Sequence, residues 1–189
     1  MRLYIDGCSL TYGQGLPRDQ SLGHLFTTQG GYEVFDASRP GKSNTAICMD
    51  THKNVEDYDI FVLGFTFSSR FYINYNNQNL DFFAGKKSGQ TEIEPQDLDE
   101  ATNAVYRYFY TVFGHPYCDR LSDMLVDGCV SFLKTQGKQV LGFSWEQRQT
   151  VNQLLYPYVP PKHRLIDNHL NEQGVINLYN FLQNASEKI

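Results

Sequence analysis

Tyr4-Ile5-Asp6-Gly7-Cys8-Ser9-Leu10-Thr11-Tyr12-Gly13-Gln14-Gly15 is a short apolar run that stops abruptly in small and hydroxyl-bearing residues. It reads as a buried β-strand that delivers Ser9 to a tight turn. Leu3, Tyr4 and Ile5 favour an extended backbone, Gly7 relaxes the chain where the strand ends, and Gly13 and Gly15 permit bends that a side chain would obstruct. In open α/β sheets the ligand crevice lies just beyond the carboxyl ends of the strands, so a hydroxyl here points where ligands go. A glycine-serine turn is also an ordinary chain reversal, with no chemistry implied.

The next segments repeat the strand-helix alternation. Residues 19–29 carry Leu22, Leu25 and Phe26 at helical spacing, and Gly30-Gly31 form the stop. Residues 32–35 alternate like a short strand, and the following loop ends at Ser43 or Asn44, either of which can cap a helix running to about Asn54. Asp59-Ile60-Phe61-Val62-Leu63-Gly64 is the clearest strand, continuously apolar as a parallel strand covered on both faces should be. Residues 71–95, rich in amides, tyrosines and lysines, read as an inserted loop or hairpin. Amides mixed with tyrosines would suit sugar binding, but the same composition describes an ordinary exposed loop, which is the preferred reading.

Two helices are expected next, at 98–113 and 117–136, separated by Gly114-His115-Pro116. The aromatic face of the first, with Val105, Tyr106, Phe109, Tyr110 and Phe113, reads as core. Gln139-Val140-Leu141-Gly142-Phe143 is a fourth strand, and Trp145, just past its end, would line the crevice. Residues 146–161 begin as a helix and are then broken by prolines, a last strand should end ahead of His169, and an amphipathic helix closes the chain. The order predicts one domain over 1–189, a three-layer α/β/α sandwich on a mainly parallel sheet of four or five strands, flavodoxin-like in plan.

Composition narrows the function. A formal net charge of -5 over 189 residues, with no basic cluster, argues against nonspecific nucleic-acid binding. Cys8, Cys48, Cys118 and Cys129 are scattered, without the close pairs that zinc sites use, so no metal is expected. Neither a phosphate loop nor a dinucleotide fingerprint is present, and no cofactor is expected. No apolar run approaches the roughly 20 residues of a membrane-spanning helix, and the chain enters a strand too early for a leader peptide. The expectation is a cytoplasmic protein with a small-molecule or carbohydrate partner, no membrane and no nucleic acid; the oligomeric state is open.

A serine hydroxyl is a poor nucleophile at neutral pH unless a base takes its proton, and a neutral imidazole is the usual base. Of the five histidines, His169 has the best setting, immediately before the last helix, with Asp167 two residues earlier on the same side of an extended backbone. Taken by themselves, the same residues read better as a capping loop in which Asp167, Asn168 or Asn171 satisfies free N–H groups and His169 is incidental.

Gly7-Cys8-Ser9-Leu10-Thr11-Tyr12-Gly13 resembles the first block of the SGNH, or GDSL, hydrolases, Gly-Asp-Ser-Leu-Thr-x-Gly, with Cys8 at the aspartate position. Asp167-Asn168-His169-Leu170-Asn171 resembles the family's last block, Asp-x-x-His, with one residue fewer between acid and base, and Gly174 stands where the family commonly has glycine. The resemblance implies an α/β/α hydrolase acting on esters, with Ser9 as nucleophile, His169 as base and Asp167 as its acid. It further implies an oxyanion hole from the N–H groups of Ser9 and of Gly41, in Arg39-Pro40-Gly41-Lys42-Ser43-Asn44. The family's third block, Gly-x-Asn-Asp, departs here to Gly64-Phe65-Thr66-Phe67, which puts Thr66 at the asparagine position; Asn44 or Arg70 are substitutes within the crevice. That departure opens a second reading, a binding module that keeps the fold and grips a glycan or a protein.

Overall fold

Four strands assemble into one all-parallel sheet in a computed structural model that describes residues 1–68, 70–75, 78–83, 100–145, 151 and 153–186. They are β1 (Arg2–Gly7), β2 (Glu33–Asp36), β3 (Ile60–Phe65) and, after the hairpin below, β6 (Gln139–Ser144), in spatial order β2-β1-β3-β6. Parallel strands need crossovers, and the helices α1 (Ser9–Tyr12), α2 (Leu22–Thr28), α3 (Asn44–Lys53), α4 (Glu100–Thr135) and α5 (Glu172–Ser186) lie in those connections and after the last strand. The strand order steps outward from β1 in both directions, so the carboxyl ends of β1 and its neighbours flank a topological switch point, where ligands bind in such sheets.

Both faces of the sheet are covered, which is why its strands lack polar alternation. Leu3 and Ile5 of β1, Val62 of β3 and Leu141 and Phe143 of β6 pack with Leu22 and Phe26 of α2 and Val175, Leu178 and Leu182 of α5. Tyr4, Phe61, Leu63, Phe65 and Val140 face the other way, onto Ile47 of α3 and Val126, Val130 and Leu133 of α4. The expected three-layer α/β/α architecture is therefore present, with four strands in its sheet.

Two glycines matter because they are in register. Gly7 pairs with Gly64 across β1 and β3, and Thr11, fully buried, sits over both. A Cβ at either glycine would clash with the Thr11 hydroxyl, and one at Gly64 would also come within 2.7 Å of Phe143 Cζ. The turn that carries Ser9 can settle onto the sheet only because these strand ends lack side chains.

Several boundaries differ from the sequence reading. Residues 98–136 were expected as two helices, yet α4 is continuous through Pro116, because losing one N–H removes one ladder bond while the turns on either side close the rest. The expected helix at 19–29 splits into a 3-10 turn at Arg18–Gln20 and α2, with Ser21 capping α2 by accepting from His24 N. Ser43 caps α3 in the same way, accepting from Ala46 N. The expected final strand is reduced to single bridges, Phe143 to Leu155 and Arg164 to Leu170. Pro157, Pro160 and Pro161 have no N–H to extend a ladder there. Within 71–95, β4 (Arg70–Tyr75) and β5 (Gln78–Phe83) pair antiparallel as a separate sheet. The expected aromatic face at 101–113 and the helix start at 146–150 lie outside the described side chains and residues respectively.

Candidate active site

Ser9 is the first residue of α1, where β1 gives way to a four-residue helix, and it is 4% exposed. Gly13, at φ 77°, closes that helix by donating its N–H to Ser9 O. A left-handed turn at this point needs glycine. Arg18 braces the turn from outside: Nη1 donates to Tyr12 O at 2.9 Å, the guanidinium lies 4.3 Å over the Tyr12 ring, and Nη2 reaches Asp36 at 2.7 Å.

The loop after β2 runs back over the end of β1. Arg39 N donates to Gly7 O at 3.1 Å, and Gly41 turns the chain at φ 79°. Gly41 is thus two residues past a direct backbone link to the strand that delivers Ser9. Beneath this corner lies a group that the sequence did not signal. Lys42 Nζ donates to both oxygens of Asp6 at 2.7 Å and to Ala37 O at 3.3 Å, and sits 2.8 Å from Asp50. Asp6 also accepts from Gly7 N at 2.7 Å and from Tyr4 Oη at 3.0 Å. Burial pushes the Asp6 carboxyl up to about 7 in spite of the ammonium against it. Burial alone would raise Asp50 too, but there the Lys42 ammonium wins and holds it below its ordinary value.

Thr66, just past β3, is held by its backbone. Its N–H donates to Asn44 Oδ1 at 2.7 Å, while Asn44 Nδ2 donates to Thr66 O at 2.9 Å and to Ser122 Oγ at 2.8 Å. Both amide hydrogens of Asn44 are therefore in use, so this side chain clamps the β3 loop and has no spare donor for a ligand. Arg70 Nη1 donates to Lys42 O at 3.4 Å, which puts the guanidinium on the Gly41 corner. Trp145 packs edge-on to Phe143, with ring centroids 5.7 Å apart. Its indole nitrogen is enclosed and has no acceptor among the described residues.

His169 sits on a tight loop in which Leu165 N donates to His169 O at 2.6 Å and Asn168 takes φ 67°. Its Nδ1 lies 2.8 Å from Asp167 Oδ2, and Asp167 Oδ1 accepts from His169 N at 3.2 Å. The 2.8 Å approach is close enough for Nδ1 to bond the carboxylate, although the ring is not ideally aligned on it. Bonding to the His169 side chain, then to its N–H, holds the Asp167 carboxyl below its ordinary value. Asn171 Oδ1 accepts from Gly174 N at 2.9 Å, and a Cβ at Gly174 would strike His163 O, so the glycine lets α5 start tight against this loop. The loop reaches the serine turn: a Cβ on Gly15, at φ 90°, would come within 2.7 Å of Leu165 Cδ1. Leu10 and Leu16 pack into the same core cluster as Leu170.

Ser9 and the Gly41 corner thus follow the carboxyl ends of β1 and β2, the His169 loop meets the serine turn at Gly15, and Trp145 stands just past the end of β6. Among the described residues, no group of three or more His, Cys, Asp or Glu is arranged to hold a metal, and no helix is long and apolar enough to cross a membrane. None of the four cysteines, all of them among the described residues, is in a disulfide.

This three-layer α/β/α domain shares its fold with a solved esterase. The psychrotrophic esterase EstA from Pseudoalteromonas sp. superposes with a TM-score of 0.56 at 10% identity, covering 99% of this chain and 96% of that one. AlinE4, an SGNH-hydrolase family esterase, gives 0.41 at 11% identity over 98% of this chain and 72% of its own. A GDSL-like lipase from Bacteroides thetaiotaomicron gives 0.43 at 12% identity over 99% and 88%. At these identities the likeness is one of fold. No family model matches the chain, and no curated protein matches it in sequence.

Proposed function

We propose that this chain is a serine hydrolase of the ester class. Ser9 Oγ attacks the acyl carbonyl carbon as His169 Nε2 takes its proton. With Nδ1 turned to Asp167, the ring proton belongs on that nitrogen, which leaves Nε2 as the free acceptor. The N–H groups of Ser9 and Gly41, with the Thr66 hydroxyl, hold the tetrahedral oxyanion. When that intermediate collapses, the alkoxide leaves with the proton from His169; water then repeats the cycle on the acyl-enzyme.

The observation that carries this reading is the convergence of the serine turn and the His169 loop at Gly15 and Leu165. Losing one oxyanion donor costs about a hundred- to a thousandfold in turnover, so Thr66 in place of an amide implies slow hydrolysis of generic esters. The substrate class we propose is a small acyl group on a carbohydrate, such as an O-acetyl. The test is a serine-directed fluorophosphonate with the adduct mapped by mass. Labelling at Ser9, absent in Ser9→Ala, is the expected result; an unlabelled folded protein would defeat the proposal.

A second reading, a non-catalytic binding module on the same fold, is favoured by one observation: both amide hydrogens of Asn44, one of the two substitutes for the missing asparagine, are engaged. Glycan binding that persists in Ser9→Ala, with no turnover of acetylated sugars, would select it.

A further inference from the structure

Lys42 is 1% exposed, and the Asp6 side chain beside it is fully buried. Lysine is almost never enclosed to this degree unless paired. A buried ion pair is also a poor way to gain stability, since well-packed apolar residues of similar volume do as well or better. The pair must be explained by where it stands. Asp6 is three residues before Ser9, and Lys42 is the residue after Gly41. The ammonium spans the carboxyl end of β1 and the loop after β2, and its third arm holds Ala37 O on that loop. Lys42 O is in turn gripped by Arg70, from the start of the next element after β3.

We infer that Lys42 and Asp6 are positioning residues, a buried tether that fixes the Gly41 N–H relative to the Ser9 N–H so that both aim at one oxyanion. This inference rests on the serine-hydrolase reading. Neither residue touches the substrate. Oxyanion donors act only at about 2.7–3.1 Å from the oxygen they stabilise, and displacement by about 1 Å at a reacting centre can cost about a hundredfold. The loop has two backbone links to β1, Ala37 N to Ile5 O at 2.8 Å and Arg39 N to Gly7 O at 3.1 Å; both precede Gly41, which stands two residues beyond the later one on a turn that only weakly closes, Lys42 N to Arg39 O at 3.5 Å. The buried ammonium adds a side-chain constraint on the far side of Gly41, beside the Arg70 contact to Lys42 O.

The test compares wild type with the double variant Asp6→Asn/Lys42→Met, which removes both charges together, and with Lys42→Gln, which keeps a hydrogen bond to Asp6. Folding is followed by cooperative urea unfolding, turnover with p-nitrophenyl acetate, and nucleophile reactivity by the rate of fluorophosphonate labelling. The double variant is expected to fold, with kcat and labelling rate reduced about tenfold or more and KM within about twofold, and Lys42→Gln to fall between. Wild-type rates in the folded double variant would overturn the tether while leaving the hydrolase reading intact. An unlabelled, inactive wild type would overturn both. Loss of the folded state in both variants would make the pair a determinant of the fold and overturn the positioning role.

Discussion

Two acid-base pairs stand near the serine turn with almost the same separation and opposite surroundings. Lys42 and Asp6 meet at 2.7 Å with 1% and 0% of their side chains exposed; His169 and Asp167 meet at 2.8 Å with 13% and 56% exposed. Distance therefore says little about role. The enclosed pair is bonded through Gly7 N, Tyr4 Oη and Ala37 O, and the ammonium meets one further carboxylate, Asp50, at 2.8 Å. The rim pair keeps an acid in water and one face of an imidazole available. The first arrangement suits holding a backbone in place, the second suits moving a proton.

His169→Ala is the largest way to break this contrast. If the rim pair does the proton transfer, kcat on an aryl ester falls about a thousandfold, within the range that general base catalysis supplies, while the urea midpoint stays put. Lys42→Ala should do the reverse first: it strands the Asp6 carboxylate in the interior and lowers stability by about 3–5 kcal/mol in urea titration. A folded Lys42→Ala protein of wild-type stability would mean that Asp6 is not charged when paired.

Asp167→Asn gives a smaller effect. A buried triad acid is worth about 10⁴ in kcat, and an exposed, poorly aligned one less, on the order of ten- to a hundredfold. The urea midpoint should fall only slightly at neutral pH, because the contact of this carboxylate with His169 is largely exposed to water.

The smallest effect sharpens the comparison by sign. Asp6 is raised to about 7 by burial, above the ordinary carboxylate value of about 3.9. Between those values the folded state keeps a proton that the unfolded chain has lost, so this group's contribution is full at low pH and declines as pH rises through about 7. Asp167 is lowered by His169, so its contribution is present at neutral pH and is lost as pH falls through its folded value. Urea midpoints of wild type and Asp6→Asn across pH 4–8 should therefore converge or part in one direction, and those of Asp167→Asn below pH 4 in the other.

Much of the frame was legible in the sequence because it was written in local chemistry. Apolar runs ending in glycine gave β1 and β3, and Ser21 and Ser43 stood where helices begin. Ser9 and His169 were singled out by position relative to those elements. What stayed hidden is set by tertiary context. Pro116 reads as a breaker, yet α4 absorbs it. Pro157, Pro160 and Pro161 read as a loop on the way to a strand, and the strand does not form. Lys42, in a short polar loop, looks like a solvated charge, and only its partner 36 residues away reveals that it is enclosed. Asn44 looked like a donor for ligand, and its amide proves to be spent on the backbone of Thr66.

The central claim is spatial, that the Ser9 hydroxyl and the His169 imidazole work on one atom. A crystal structure of the protein after reaction with a fluorophosphonate measures this directly. The account predicts phosphorus bonded to Ser9 Oγ, a phosphoryl oxygen about 2.7–3.1 Å from the N–H groups of Ser9 and Gly41, and His169 Nε2 within about 3.2 Å of the adduct oxygens. An adduct on another residue, or His169 turned away from Ser9 with its ring on the outer side of the loop, would contradict it.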